Sequence, residues 1–412
     1  MRINAKQLLA IAVCGLALAS CGGGGGVGGT PTTGNGGSGT GTGTTSTGNG
    51  GSGGSGSGNG GTPAPSIASF STYLYSYTGY VNVPTITVYI DGKPVALLAD
   101  TGASGLIVNQ SAVSIPSSDM NSSYTFTTTF GDGSSATGIM ASATVCINPS
   151  NTATSMPRFS CIVMPIGLIT SGNAFPFGDA QGDFGIDSGL NIIDVGYNSS
   201  GSSITGYSYP TYLAQQYGMN SYTLSFYPLS NGFYANVSAT TPIGQITFGA
   251  YDGNSNTLVP YTTDPLTGLP DTSGIFASST SSYTNSVIFD TGSTFNFFST
   301  SVLQTEISNF SQSADEGACA KYGLPKNTVN GGFVLSYTLQ NNASQNYNTS
   351  FTTEPSLSFC ENNPILDLII GNTFDAGSGM HGIEDFGLPE MLRHTFTWVL
   401  GNNGMVQYVG VE

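Results

Sequence analysis

The chain writes Asp-Thr-Gly twice in nearly the same apolar frame, LLADTGASGLIV around Asp100 and VIFDTGSTFNFF around Asp290. A single copy is most often a turn, because Asp and Gly are common turn residues. Two copies with matched flanks, 190 residues apart, ask for a joint role. Two carboxyls held at close range cannot both ionise cheaply, so they share a proton. Such a pair activates a water with one oxygen and protonates a carbonyl with another. That is general acid–base hydrolysis, which needs neither a metal nor a nucleophilic side chain.

Positioning two such carboxyls calls for strands. VALLA and SVIF read as buried strands that deliver each Asp at their ends. Thr101 and Thr291 can anchor their hydroxyls inward, and Gly102 and Gly292 let the backbone turn beside a ligand. Period-two alternation recurs in PTITVYI (84–90), SYTLSFYP (221–228), GQITFG (244–249) and GFVLSYTL (332–339), separated by Gly, Asn, Asp and Ser. Helices are few and short, around Tyr209 to Tyr217, Thr300 to Asn309 and Pro389 to Arg393. The reading is all-β, with two mostly antiparallel lobes: residues 67–252 carry the first DTG and residues 253–412 the second.

Residues 1–20 read as a signal peptide, with Arg2 and Lys6 at its start and an apolar run, Leu8 to Ala19, too short to span a bilayer. The run ends in Leu18-Ala19-Ser20-Cys21, which resembles the bacterial lipobox, whose cysteine becomes the lipidated first residue. The alternative is an ordinary secretory signal with Cys21 a stray thiol. Residues 21–66 are then the lipidated cysteine and a linker almost wholly of Gly, Ser, Thr and Asn, whose composition cannot bury enough apolar surface to order itself. The expected address is the bacterial envelope through a lipid anchor. Gly22 replaces the aspartate that retains lipoproteins at the inner membrane, which points to the outer one.

Only 7% of the residues are charged and the formal net charge is −16. Without Arg2 and Lys6, five Lys and Arg stand against 23 Asp and Glu, or about −18. Such a surface repels nucleic acid and anionic lipid, which excludes both as partners recognised electrostatically, and it suits life in acid. With His381 and His394 the only histidines and no CxxC pair, no metal or cofactor is expected. HGIED (381–385) reads as a solvated loop and YDGNSNT (251–257) as a turn. In an oxidising compartment Cys146, Cys161, Cys319 and Cys360 are expected to pair locally, one disulfide in each half.

From about residue 77 onward these segments resemble the pepsin family of aspartic endopeptidases. TGYVNVPTITVYIDGKPVALLADTGASGLIV resembles the family's entry strands and first active-site loop, and FTTTFGDGSSATGIMASATV (126–145) its flap hairpin. SYTLSFYPLS and GQITFGAYDGNSNTLVPYTT resemble the crossing between lobes. LIIGNTFDAG (368–377) resembles the hydrophobic-hydrophobic-Gly segment of the second lobe, and HTFTWVLGNNGMVQYV the closing strands. The resemblance implies a two-lobed, pepsin-like acid protease fold with Asp100 and Asp290 as the catalytic dyad and Thr101 and Thr291 locking the loops together. Gly102, Gly292 and Ser293 support the loops, and Phe130, Gly131, Asp132 and Gly133 form the flap that closes on substrate. Cys319 and Cys360 fit a second-lobe disulfide. A peptide or unfolded protein would lie extended across the cleft, paired in β fashion, and a monomer is the family's default.

Departures from the family pattern carry their own expectations. Phe130 stands where the flap usually has tyrosine, and Ile107 where it has the tryptophan that bonds that tyrosine. Ala103 stands where a serine often donates to the first Asp, while Ser293 keeps that donor for the second. Losing it makes Asp100 less acidic, which implies a mildly acidic optimum. NIIDVGYN (191–198) resembles the first lobe's hydrophobic-hydrophobic-Gly segment but puts Asp194 where a glycine is expected. Two functions follow. One is an envelope-tethered aspartic endopeptidase. The other is a catalytically inactive pepsin-fold protein that binds a peptide, an inhibitor or a glycan. Both aspartates are retained with their threonines and glycines, which favours the enzyme, because a binding module has no need of two like charges held together.

Overall fold

The computed structural model describes residues 22–23, 69–76, 84–130, 134–147, 160–172, 180–189, 192–227, 240–251, 253, 258–263, 270–277, 282–293, 296–298, 334–339, 347–352, 369–371 and 383–412. Among these, sixteen strands form one sheet and eight a second. The first opens with a hairpin, Pro84–Ile90 against Lys93–Asp100, closed at Ile90↔Lys93. Its turn is Asp91-Gly92, with φ of 48° and 82°. A two-residue hairpin of right-handed twist needs left-handed backbone at both centres, and Asp-Gly accepts it. The alternation in PTITVYI puts Ile86, Val88 and Ile90 wholly inside.

Downstream, Met120–Phe130 and Ser135–Ile147 form a long antiparallel hairpin, the expected flap, with Gly22–Gly23 paired to its first strand at Thr129 and Phe130. Ser135–Ile147 then pairs with Cys161–Gly172, and the Cys146–Cys161 disulfide joins residues that face each other in register. The expected partners Cys319 and Cys360 lie outside the described residues, as do the expected helix at 300–309 and nearly all of residues 1–66.

One pattern occurs in both sheets. In the first, Gly182–Ile186 lies between Lys93–Asp100, to which it is parallel, and Ser104–Asn109, to which it is antiparallel. In the second, Ile383–Phe386 lies between Ser282–Phe289, again parallel, and Asn296–Phe298, again antiparallel. The registers coincide: Leu98↔Asp183 and Ala99↔Phe184 in one lobe, Ile288↔Asp385 and Phe289↔Phe386 in the other. Outside each trio a further parallel strand follows, Cys161–Gly172 on Ser104–Asn109 and Ile369–Gly371 on Asn296–Phe298.

These registers correct three sequence expectations. The strand beneath the first active-site loop is Gly182–Ile186, not NIIDVGYN, whose Ile192 makes an isolated bridge to Ser104 and whose Val195–Tyr197 pairs elsewhere in the sheet. Beneath the second loop it is Ile383–Phe386, not the LIIGNTFDAG segment, whose Ile369–Gly371 takes the outer position. HGIED is therefore no solvated loop, since its Glu384 and Asp385 are buried in that inner strand.

Tyr209–Tyr217 is helical, begun by Ser208, whose side chain accepts the Thr211 N–H, and ended at Gly218 in the left-handed region. The C-terminal hairpin, Phe396–Leu400 with Val406–Val411, joins the first sheet beside Ser221–Phe226. There the only tryptophan, Trp398, stacks on Tyr222 with ring centroids 5.0 Å apart. Phe396 meets Phe289 at 4.7 Å, so an aromatic core ties the second active-site strand to the first sheet.

Candidate active site

Each aspartate closes the first, outer strand of its trio, Asp100 at the end of Lys93–Asp100 and Asp290 directly after Ser282–Phe289, and the two Asp-Thr-Gly loops meet. The Thr101 N–H donates to Thr291 Oγ1 at 3.0 Å, and the Thr291 N–H donates to Thr101 Oγ1 at 2.9 Å. Each hydroxyl in turn donates into the opposite strand, Thr101 Oγ1 to the Phe289 carbonyl at 2.8 Å and Thr291 Oγ1 to the Ala99 carbonyl at 2.5 Å. Both side chains are buried, with each hydroxyl accepting once and donating once.

Asp100 and Asp290 are themselves wholly buried. The Gly102 N–H donates to Asp100 Oδ1 and the Gly292 N–H to Asp290 Oδ1, both at 2.6 Å. The two carboxyls are in hydrogen-bonding contact with each other. Gly102 must lack a side chain, because a β-carbon there would sit 2.5 Å from Asp290 Cγ. Burial first, then the charges of Asp183 and Asp290, hold Asp100 well above the usual carboxylate range, with the Gly102 N–H pulling the other way. Two carboxyls in this contact hold one proton between them at mildly acid pH, the condition for acid–base work on a bound carbonyl.

The fold is pepsin-like. The solved structure of the aspartic proteinase from Irpex lacteus superposes with a TM-score of 0.58, over 84% of this chain and 97% of its own, at 18% sequence identity. No protein-family model and no curated protein matches the chain by sequence. At that identity the likeness speaks for the pepsin-like architecture, and the arrangement of the site rests on the contacts above.

Around the dyad the two lobes differ. Ser293 Oγ lies 2.9 Å from Asp290 Oδ2 and 2.7 Å from Asp385 Oδ2. In the first lobe the matching position is Ala103, and Asp100 Oδ2 receives no bond from an N–H or a hydroxyl. Phe130 and Ile107 do pack in one apolar cluster, with Ala103, Phe126 and Met140, so the tyrosine–tryptophan pair is replaced by an apolar contact. The Phe130 N–H donates to the Ser134 carbonyl at 2.9 Å across the hairpin end. The tip residues Gly131, Asp132 and Gly133 lie outside the described residues.

Asp194 is not in the active-site strand. It is buried against the backbone of Gly105 and Gly206, where no β-carbon could fit, and it faces the Leu106 N–H. Sequence reasoning missed Asp183 and left Asp385 in a solvated loop, although both are buried one strand from the dyad. Their signal is a second repeated tripeptide, Asp-Phe-Gly, at 183–185 and 385–387. Burial pushes Asp183 up to about 8, with contact to Asp100 opposing and the charge of Asp290 adding.

Proposed function

We propose that the protein is an aspartic endopeptidase that hydrolyses peptide bonds with a water held between Asp100 and Asp290. The observation that supports this most is the reciprocal threonine lock, which brings two buried carboxyls from opposite lobes into contact. The ionised member takes a proton from water as the oxygen attacks the peptide carbonyl, while the protonated member gives its proton to the carbonyl oxygen. The resulting gem-diol collapses with a proton passing to the departing nitrogen, and the pair returns to its one-proton state. Gly102 and Gly292 keep the floor of the cleft open to an extended peptide, and the hairpin ending at Phe130 covers it. A peptide or an unfolded protein fits this reading as substrate, with the chain acting as a monomer.

The test is hydrolysis of an unfolded protein by residues 67–412 across about pH 3 to 7, with and without pepstatin. Cleavage with a mildly acidic optimum, lost in both Asp100→Asn and Asp290→Asn, is the expected result. A folded preparation silent at every pH would instead favour the inactive binding protein. For location, we read Cys21 as the lipidated residue and the Gly-rich segment after it as a tether to the bacterial envelope, at the outer membrane. Incorporation of labelled fatty acid that disappears in Cys21→Ala tests that reading.

A further inference from the structure

We propose that the outer edge of the flap hairpin is the membrane-facing side of the protein. The residues after Cys21 are held there as an added strand, so that an acyl group on Cys21 enters the lipid surface beside the cleft. This rests on the reading of Cys21 as the lipidated residue and not on catalysis.

The geometry begins with the backbone of Met120–Phe130. Along an antiparallel strand the N–H and carbonyl of one residue point to one neighbour, and those of the next residue point to the other. The Phe130 N–H donates to the Ser134 carbonyl, into the hairpin, so Thr129, Thr127 and Thr125 turn theirs outward. Such an edge invites another strand. Among the described residues two segments take it: Val195–Tyr197 sets Tyr197 opposite Thr125, and Gly22–Gly23 sets Gly23 opposite Thr129. Gly23 and Thr129 are therefore the pair that exchanges backbone bonds, while Gly22 stands opposite Phe130. Cys21 directly precedes Gly22, and one residue of extended chain spans about 3.3–3.6 Å. The attachment point is thus fixed by the flap and not by the length of the Gly-rich linker.

What this edge presents suits a lipid surface. Met120–Phe130, Ser135–Ile147 and Cys161–Gly172 contain no Asp, Glu, Lys, Arg or His, and neither do Val195–Tyr197 and Ser203–Thr205. In a chain of net charge −16, these strands approach a bilayer without stripping water from a charge. Tyr197, on the same edge, keeps 56% of its surface exposed, and tyrosine is a side chain that settles at the boundary of water and lipid. Thr125 and Thr129 are four residues apart on one strand, or about 14 Å. The tyrosine and the anchor therefore give two separate contacts, which fix how the body meets the surface.

The experiment has two arms, each with Asn402→Cys as its reference, an exposed position in the turn of the C-terminal hairpin towards the other end of the sheet. In the first, Cys21→Ser chains carrying Gly23→Cys with either Thr129→Cys or Asn402→Cys are oxidised. Opposed residues that exchange backbone bonds have Cα atoms about 5.5 Å apart, within disulfide reach. We expect the pair at Thr129 to close on the order of tenfold faster than the pair at Asn402, because a docked cysteine has the higher effective concentration. Equal rates would overturn the docking. In the second arm the acylated chain is placed in phosphatidylcholine vesicles that carry a quencher on the headgroup. A fluorophore sits on Ser203→Cys, which lies opposite Tyr197, or on Asn402→Cys. We expect the label at Ser203 to be quenched at least about twofold more strongly. Equal quenching, or more at Asn402, would remove this edge from the membrane. A chain that takes up no fatty acid defeats the lipoprotein reading and the membrane contact with it, while the cross-link still decides whether the N-terminus is docked.

Discussion

Gly102 shows how little room the dyad leaves. A β-carbon at that position meets the Asp290 carboxyl at 2.5 Å, so Gly102→Ala should push the two loops apart. We expect it to cost about 1–3 kcal/mol in thermal unfolding and to lower kcat at least on the order of tenfold. Thr291→Val tests the lock. It strips a partner from the buried Thr101 N–H and from the Ala99 carbonyl, at about 1–3 kcal/mol for each group left unsatisfied, measured by denaturant unfolding. The acids impose a pH dependence whose sign can be worked out. Asp100, Asp183, Asp187 and Asp194 all have raised folded pKa values, so between the ordinary carboxylate range and about 8 the native state holds protons that the unfolded state has released. Stability therefore falls as pH rises through that window, by at most about 1.4 kcal/mol per pH unit for each such proton. Melting temperatures at pH 4.5 should exceed those at pH 8. Asp100 and Asp290 were legible from the repeat of Asp-Thr-Gly. Asp183 and Asp385 were not, because Asp183 beside Gly182 reads as a turn and Asp385 in HGIED as part of a solvated loop unless the buried strand is already known.

That strand is the element the sequence hides. Hairpins announce themselves: PTITVYI alternates, Asp91-Gly92 supplies the turn, and the structure follows residue for residue over Pro84–Ile90. The helix expected around Tyr209 to Tyr217 is also found over that span, and the structure stops it at Gly218. Gly182–Ile186 is five residues long, buried along its whole length, and made of Gly, Asp, Phe, Gly and Ile, so it shows neither alternation nor an apolar run. NIIDVGYN was more apolar and drew the assignment instead. Hydrophobicity misleads here because the inner strand must admit both the Asp183 carboxyl and a close backbone approach at Gly185, where a β-carbon would meet the Ala103 carbonyl at 2.7 Å. At this scale the flap yields a prediction. Phe130 is sealed in an apolar cluster with Ile107, so Phe130→Tyr alone buries a hydroxyl there and should lower both activity and melting temperature. The Cys146–Cys161 link closes a short loop between adjacent strands, and replacing both residues by serine should cost about 3 kcal/mol in denaturant unfolding.

Across the whole molecule, charge is scarce and one-sided. Among the described residues the ion pairs centre on Glu390, which meets Arg393 and His394, so acid pH breaks few attractions while it relieves a formal charge of −16. Added salt should accordingly stabilise the protein more at pH 7 than at pH 4, as read by thermal unfolding at low and moderate ionic strength. The two-lobed plan was legible from the doubled motif. The joining of the C-terminal hairpin to the first sheet was not, since nothing in HTFTWVLGNNGMVQYV names the strand at Ser221–Phe226 that it pairs with. The threonine lock spans that same plan. Its four bonds all run between residues 188 to 192 positions apart, so each half of the molecule supplies what the other half needs. Because both halves belong to one polypeptide, their local concentration is set by the fold and does not fall on dilution. A dyad assembled from two separate subunits would come apart in a dilute medium; this one stays whole at a single molecule per compartment.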